Sequence, residues 1–228
     1  MYGFFNEVAR NSLSYIHLDG SWNVIKDNVC KHIGLGYYSN NTTNNLIVGN
    51  KVSTNTRSYS GISLTNSNNN FLARNHVSGF NYGITLRFSS SNTITANTIA
   101  DSLSAGISLE GSSNSRIYLN NFVNDIWGPY VYDQYADPWI RDGKPNLKVS
   151  VNFWDNGSIG NYWGNYKGID ANGDGIGDFP YIVKIVVRYF DGGEEELVCG
   201  YDNFPLMAPV DIYSTIIEMP EWTTFLSG

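Results

Sequence analysis

The sequence predicts an all-β fold: one right-handed parallel β-helix, closed at its C-terminal end by an aromatic cap and a β-hairpin. Three observations predict it. A short pattern, Asn-x-aliphatic-x-x-Asn-x-aliphatic, recurs through the first half of the 228-residue chain. A strand of period 2 lies between copies, and 29 Asn with 23 Gly favour tight turns over helix interiors.

The first Asn of the pattern falls at Asn6, Asn23, Asn45, Asn70 and Asn92, with Ser115 in the last copy, so the steps are 17, 22, 25, 22 and 23 residues. The second falls at Asn11, Asn28, Asn50, Asn75, Asn97 and Asn120. Two residues after each stands an apolar side chain, from Val8, Ile25 and Ile47 to Ile117 in one column and from Leu13, Cys30 and Val52 to Phe122 in the other. The intervening strand reads Ile16-His17-Leu18, Ile33-Gly34-Leu35, Ile62-Ser63-Leu64, Ile84-Thr85-Leu86 and Ile107-Ser108-Leu109, alternating inner and outer positions. Strands this short cannot bury an inner face alone. Winding them into about six to seven coils stacked at about 4.8 Å buries them all.

The second Asn column, Asn11, Asn28, Asn50, Asn75, Asn97 and Asn120, is expected to be structural. Asn tolerates the αL turn between strands, and its amide can bond both the backbone and the Asn of the next coil. The chain divides into coils over about 1–125, a variable loop and last coils over 126–155, a cap over 156–210 and a tail over 211–228, all within one domain. A hairpin is expected from Ile182 to Val198, around Asp191-Gly192-Gly193.

Composition narrows the partners. A net charge of −7 argues against sequence-independent binding to nucleic acid, which needs clustered cations. No run approaches the ~18 apolar residues of a membrane span, and residues 1–10 lack the basic and apolar regions of a signal peptide. Abundant Tyr and Asn with only 15% charged residues fit an extracellular or cell-surface setting.

Four segments in the second half carry a resemblance: Asn152-Phe153-Trp154-Asp155-Asn156-Gly157, Gly160-Asn161-Tyr162-Trp163, Asp170 to Tyr181, and Asp202-Asn203-Phe204-Pro205-Leu206. With the coils up to Phe122, they resemble the NosD-like, carbohydrate-binding and sugar-hydrolase β-helix repeat family of archaeal and bacterial surface proteins. The resemblance implies a glycan partner. The stretch Ile217 to Trp222 is similar to one that precedes a membrane anchor in some archaeal members.

The segment Asp170-x-Asn172-x-Asp174-Gly175-x-Gly177-Asp178 places oxygens at positions 1, 3, 5 and 9, and the carbonyl of Ile176 supplies position 7. That spacing is calcium chemistry. Position 12 is Tyr181 where an EF-hand has Glu, so a further carboxylate is needed, with Asp202 the candidate; a plain Asx/Gly turn without an ion is the other reading.

Aromatic residues crowd between Trp127 and Trp163. Trp154 and Trp163 lie where the coils stop and are expected to plug the core, whereas Trp127, Tyr130, Tyr132 and Trp139 are candidates to stack on a sugar. Arg74 and His76, with Lys51, form a cationic group suited to an acidic glycan. The outward columns show no stacked acid pair, only Arg74 with His76 and Arg87 with Glu110, which points away from catalysis. Copper handling needs soft or imidazole ligands, yet His17, His32 and His76 lie in different coils and the chain has 3 Met, which speaks against it. Cys30 and Cys199 could pair only if the C-terminal segment folds back. Asn40, Asn41 and Asn156 begin glycosylation sequons.

The expectation for function is a non-catalytic surface scaffold or carbohydrate-binding module stabilised by calcium. The alternatives are a polysaccharide lyase, glycoside hydrolase or epimerase acting on an acidic glycan, and a surface repeat protein that self-associates.

Overall fold

The computed structural model describes residues 4–38, 42–56, 58–124, 131–133, 149–188 and 194–226. Three long parallel sheets run along a β-solenoid, and a short parallel pair joins Thr42–Thr43 to Ser67–Asn68. The first stacks Glu7–Ala9, Val24–Lys26, Leu46–Val48, Phe71–Ala73, Thr93–Thr95 and Arg116–Tyr118. The second stacks Ser12–Leu13, Val29–Cys30, Lys51–Ser53, His76–Ser78, Thr98–Ala100, Asn121–Val123 and Tyr162–Trp163. The third stacks Ile16–Leu18, Ile33–Leu35, Ser60–Thr65, Tyr82–Arg87, Ala105–Glu110 and Val131–Asp133. Register follows the repeat: Ile25, Ile47, Leu72, Ile94 and Ile117 lie rung over rung, and Val77, Ile99, Phe122 and Trp163 do the same in the second sheet. These columns meet in one buried core, which continues into Val183, Ile185 and Cys199 of the hairpin.

The hairpin pairs Tyr181–Arg188 with Glu194–Asp202, with a bulge between Val183 and Lys184. Trp163 lies between two rings, stacked on Phe122 at 4.5 Å and on Tyr181 at 4.3 Å, and both Trp154 and Trp163 are buried. The flat faces close the core where the rungs end, so these tryptophans serve as the plug.

Each corner carries a ladder. Asn75 donates its main-chain and side-chain N–H groups to Oδ1 of Asn97, and Asn97 does the same to Asn120, and Asn120 to Asn161. The first Asn column behaves alike from Asn6 to Asn92. At the third corner the amides of Ser67, Ser89 and Ser112 donate to the next serine hydroxyl, ending on Ser150.

One expectation is corrected here. The αL conformation belongs to the residue before each ladder Asn, not to the Asn: Arg10, Asp27, Arg74, Ala96 and Leu119 have φ between 54° and 58° or at 50° in the case of Ala96, and Gly49 has φ 67°. The Asn is selected for an amide that both donates and accepts, while the corner itself is made one residue earlier at some steric cost to each L-residue.

The C-terminal segment returns along the outside of the first sheet. Asn121 exchanges side-chain hydrogen bonds with the main chain of Val210, Arg74 Nη2 donates to the Thr215 carbonyl at 3.1 Å, and Trp222 meets Trp22 edge-on at 5.7 Å. It covers an outward apolar stripe of Val24, Leu46, Phe71 and Ala73, against which Ile217 and Trp222 pack.

Candidate functional site

The outer face of the third sheet holds the chemistry that the ladders and the core do not use. Its strands alternate buried Ile and Leu with an outward residue, so register aligns His17, Gly34, Ser63, Thr85 and Ser108 in one column. Around the early rungs stand Tyr15, Tyr37, Tyr38 and Tyr59, each between 56% and 71% exposed. Their rings meet: Tyr15 stacks on His17 at 6.3 Å, Tyr37 meets His17 edge-on at 6.1 Å, and Tyr37 meets Tyr38 edge-on at 4.7 Å. Tyr59 packs edge-on to Tyr82 at 5.1 Å.

The face closes toward the later rungs, where Thr85 and Ser108 are buried. There the Glu110 carboxylate is fully engaged. Arg87 Nε lies 3.2 Å from Oε2, and the Tyr59 hydroxyl donates to Oε1 at 3.2 Å.

His32 crosses into this face from the preceding rung. Its Nδ1 is 2.9 Å from the Ser60 carbonyl, which can only accept, so Nδ1 carries the proton and Nε2 keeps its lone pair. Burial pulls the His32 pKa down, opposed by the Ser60 contact and aided by nearby His17, which favours the neutral ring. Nε2 is 3.3 Å from the Ser63 hydroxyl.

The structure separates the other sequence-derived candidates. Arg74 sits at an αL corner and turns to the C-terminal segment, while His76 lies beside Lys51 and Thr98 in the second sheet. Burial lowers the His76 pKa, with Lys51 acting in the same direction and Asp101 against it. Trp127, Tyr130 and Trp139, like Asn40 and Asn41, fall outside the described residues. The main chain of Tyr132 pairs with Ser108 on the tyrosine-bearing sheet. Asn156 turns its side-chain oxygen to the amides of Ser158 and Ile159.

In the Asp170–Asp178 loop the carboxylates accept the loop's own amides. Asp170 takes Gly173 and Asp174 on Oδ1 and Gly175 on Oδ2; Asp174 takes Ile176, and Asp178 takes Ala171. Asn172 bridges to Asp174 at 3.0 Å. Among the described residues no group of three or more His, Cys, Asp or Glu converges as a metal centre. Asp202 does not join the loop: it is buried, and its oxygens accept from Asn161, Trp163 and Phe204. No disulfide joins Cys30 to Cys199, and burial pushes the Cys30 thiol up to about 11.

Sequence reasoning missed the tyrosine face and the pairing of His17 with His32, whose ring centroids are 5.2 Å apart. Different coils do not mean distant side chains, because neighbouring coils are one strand spacing apart. The step of 17 residues between the first two copies was the available signal.

Residues 3–168 match the family described as periplasmic copper-binding protein (NosD). A search of curated proteins finds no match to the chain. Copper takes imidazole nitrogen readily, and His17 with His32 offers two such nitrogens on one face, so these residues fit an ion of that kind, although among the described residues no larger donor set surrounds them. The match spans well over half of the chain and its repeat is the one that builds the solenoid, so the protein belongs to the NosD family of parallel β-helix repeat proteins.

Proposed function

We propose that this protein is a non-catalytic binding scaffold of the cell surface or envelope that holds a glycan on the tyrosine face of its third sheet. The observation that carries this is the gathering of Tyr15, Tyr37 and Tyr38 around His17, with Tyr59 set against Tyr82; Tyr15, Tyr37, Tyr38 and Tyr59 are each more than half exposed. Scattered exposed aromatics are ordinary, but a contiguous group marks a binding surface. Tyrosine suits sugar: its ring stacks on the apolar C–H face while its hydroxyl bonds the ring substituents. A hydrolase or lyase needs an acid or base free to move a proton, whereas Glu110, an acid on this face, has both oxygens engaged by Arg87 and Tyr59.

Calcium belongs to the same reading, supported by the spacing of Asp170, Asn172, Asp174, the Ile176 carbonyl and Asp178. The test of the glycan reading is an array of neutral and acidic polysaccharides probed with the wild type, Tyr37→Ala and Tyr59→Ala. Binding that falls at least tenfold in the tyrosine variants supports it. Cleavage of any polysaccharide by the wild type, or binding indifferent to both variants, overturns it.

A further inference from the structure

We propose that Asn156 is an N-glycosylation site, with its sugar chain lying over the apolar groove between the Asn156 turn and the returning C-terminal segment. Asn156-Gly157-Ser158 is a complete acceptor motif, with glycine at the middle position. All three residues are exposed, and a Cβ built on Gly157 would meet no atom within 4 Å, so the turn stands clear of the body around it. Asp155 holds the turn in place. Its Oδ1 accepts the Gly157 amide at 2.9 Å, and its Oδ2 accepts the main-chain and side-chain N–H groups of Asn203 at 3.0 and 2.9 Å.

The atom that carries the sugar is uncommitted. Asn156 Oδ1 accepts from the Ser158 amide at 3.1 Å, the Ser158 hydroxyl at 3.0 Å and the Ile159 amide at 3.0 Å, which turns the oxygen inward and leaves Nδ2 on the far side of the planar carboxamide. Among the described residues Nδ2 makes no hydrogen bond, so a sugar on it removes nothing from the fold. The ladder residues are the contrast: Asn97 Nδ2 serves three acceptors, and a sugar there would strip all three. The bond is made by a glycosyltransferase supplied with a lipid-phosphate-linked oligosaccharide. Nδ2 attacks C1 of the first sugar, the new N–C bond replaces the C–O bond to phosphate, the phosphate leaves with the electron pair, and one Nδ2 proton passes to a base of the transferase. Asn156 is also part of the wall of a groove of about 250 Å³, shared with Tyr118, Leu119, Ile159, Ile216 and Ile217. Ile216 is 92% exposed at its rim. A glycan rooted in that wall covers apolar surface that the segment leaves open, its C–H faces on the side chains and its hydroxyls in water. The site shares a surface setting with the glycan-binding reading but none of its tyrosines.

The experiment is peptide mass spectrometry on the full chain purified from the cells that make it. Trypsin cuts after Lys148 and Lys167, and the peptide between them holds Asn156 in its one acceptor motif. That peptide should be heavier by a chain of sugar units, with fragment ions placing the added mass on Asn156. Asn156→Gln and Ser158→Ala should each abolish the added mass, and Ser158→Thr should keep it. Hydrogen exchange then reads the groove: the amides of residues 215–218 should exchange several-fold more slowly in the glycosylated protein than in Asn156→Gln, while the ladder amides of Asn75 and Asn97 exchange alike in both. A native peptide without sugar, or sugar that survives Ser158→Ala, would overturn the site; equal exchange at residues 215–218 would overturn the placement over the groove. Failure of the glycan-binding reading shows instead as loss of array binding, which leaves the mass of this peptide unmoved.

Discussion

Asn161 donates both its main-chain N–H, at 2.7 Å, and its side-chain N–H, at 3.3 Å, to a single oxygen of Asp202. The ladder that starts at Asn11 thus ends on a carboxylate. Each member from Asn28 to Asn120 accepts from the coil before and donates to the coil after, so the chain of amides has a direction and its last acceptor has no further coil to serve. An ionised carboxylate accepts only, which suits a terminus. The Trp163 indole donates to the same oxygen at 2.8 Å, binding the aromatic plug to the ladder's end. Gly160 leaves the room for this, since a Cβ there would lie 1.7 Å from Asp202 Oδ1.

Stability should fall as pH rises through the Asp202 titration. Burial raises this carboxyl from 3.8 to about 6, against the lowering effect of its Asn161, Trp163 and Phe204 donors. A folded-state pKa above the unfolded value means that the contribution is fully present below pH 3.8 and is lost as pH climbs through about 6. The difference amounts to about 3 kcal/mol. Asp202→Asn keeps one accepting oxygen but cannot titrate, and its NH2 meets the Phe204 amide in place of an acceptor. Denaturant melts between pH 4 and 7 should show the wild type losing stability relative to this variant, and parallel pH profiles would refute the assignment.

Within the ladder, aspartate should be worse than alanine. Asn97 Nδ2 donates to the Leu72 and Thr95 carbonyls and to Asn120 Oδ1, all within 3.0 Å, while its oxygen serves Asn75. Asn97→Ala leaves buried groups unsatisfied at about 1–3 kcal/mol each. Asn97→Asp points a charged oxygen at three acceptors and should cost more at neutral pH, recovering in part at low pH. Equal losses in the two variants would show that the amide's donors do not matter.

Much of the solenoid was legible because its signal is periodic. The Asn columns, the apolar residues two places after them, and the strands around His17, Gly34 and Ser63 repeat in step with the register that forms. The αL corners were not legible: Trp22, Asp27, Ala96 and Leu119 share no chemistry that marks a positive φ, and what they have in common is their place one residue before an inward Asn. The end of the ladder was hidden for a different reason. Asn161 and Asp202 stand 41 residues from their ladder predecessors, Asn120 and Asn161, after the repeat has lost its spacing. The tyrosine face was missed because Tyr15, Tyr37 and Tyr59 occupy turns outside the strands, where no period selects them.

The returning C-terminal segment should contribute to stability by covering the first sheet. Phe71 and Ala73 are 1% and 0% exposed although they point away from the core, and Ile217 and Trp222 are packed against their cluster. Trp222→Ala should cost about 1–2 kcal/mol, as expected for a half-buried aromatic, and raise binding of a hydrophobic dye. Arg74→Ala removes the bond to Thr215 and should act in the same direction through the same surface. A double variant less destabilised than the sum of the singles would show that both residues hold one segment; additive losses would separate them.

Calcium should be read from the melt of the cap. Asp170, Asp174 and Asp178 lie within nine residues, and no salt bridge to a Lys or Arg reaches them among the described residues. Their oxygens accept amide protons of Gly173, Gly175, Ile176 and Ala171, which draws the loop into a curl with lone pairs left over, since each carboxylate oxygen can serve more than one partner. The loop is tied to the last rungs through Gly177 N to Pro205 O and Met207 N to Gly175 O, so an ion that orders it also braces Leu206 against Tyr162. Chelator should therefore lower the melting temperature and calcium restore it by the mass-action relation RT ln(1 + [L]/Kd), about 2.7 kcal/mol at a hundredfold excess over Kd. Magnesium should substitute poorly, because it demands near-octahedral geometry and holds its waters. Asp174→Ala should abolish the calcium response while leaving the Asp170 turn in place. A melt of metal-free protein that calcium does not move would reduce the loop to a turn held by its own amides.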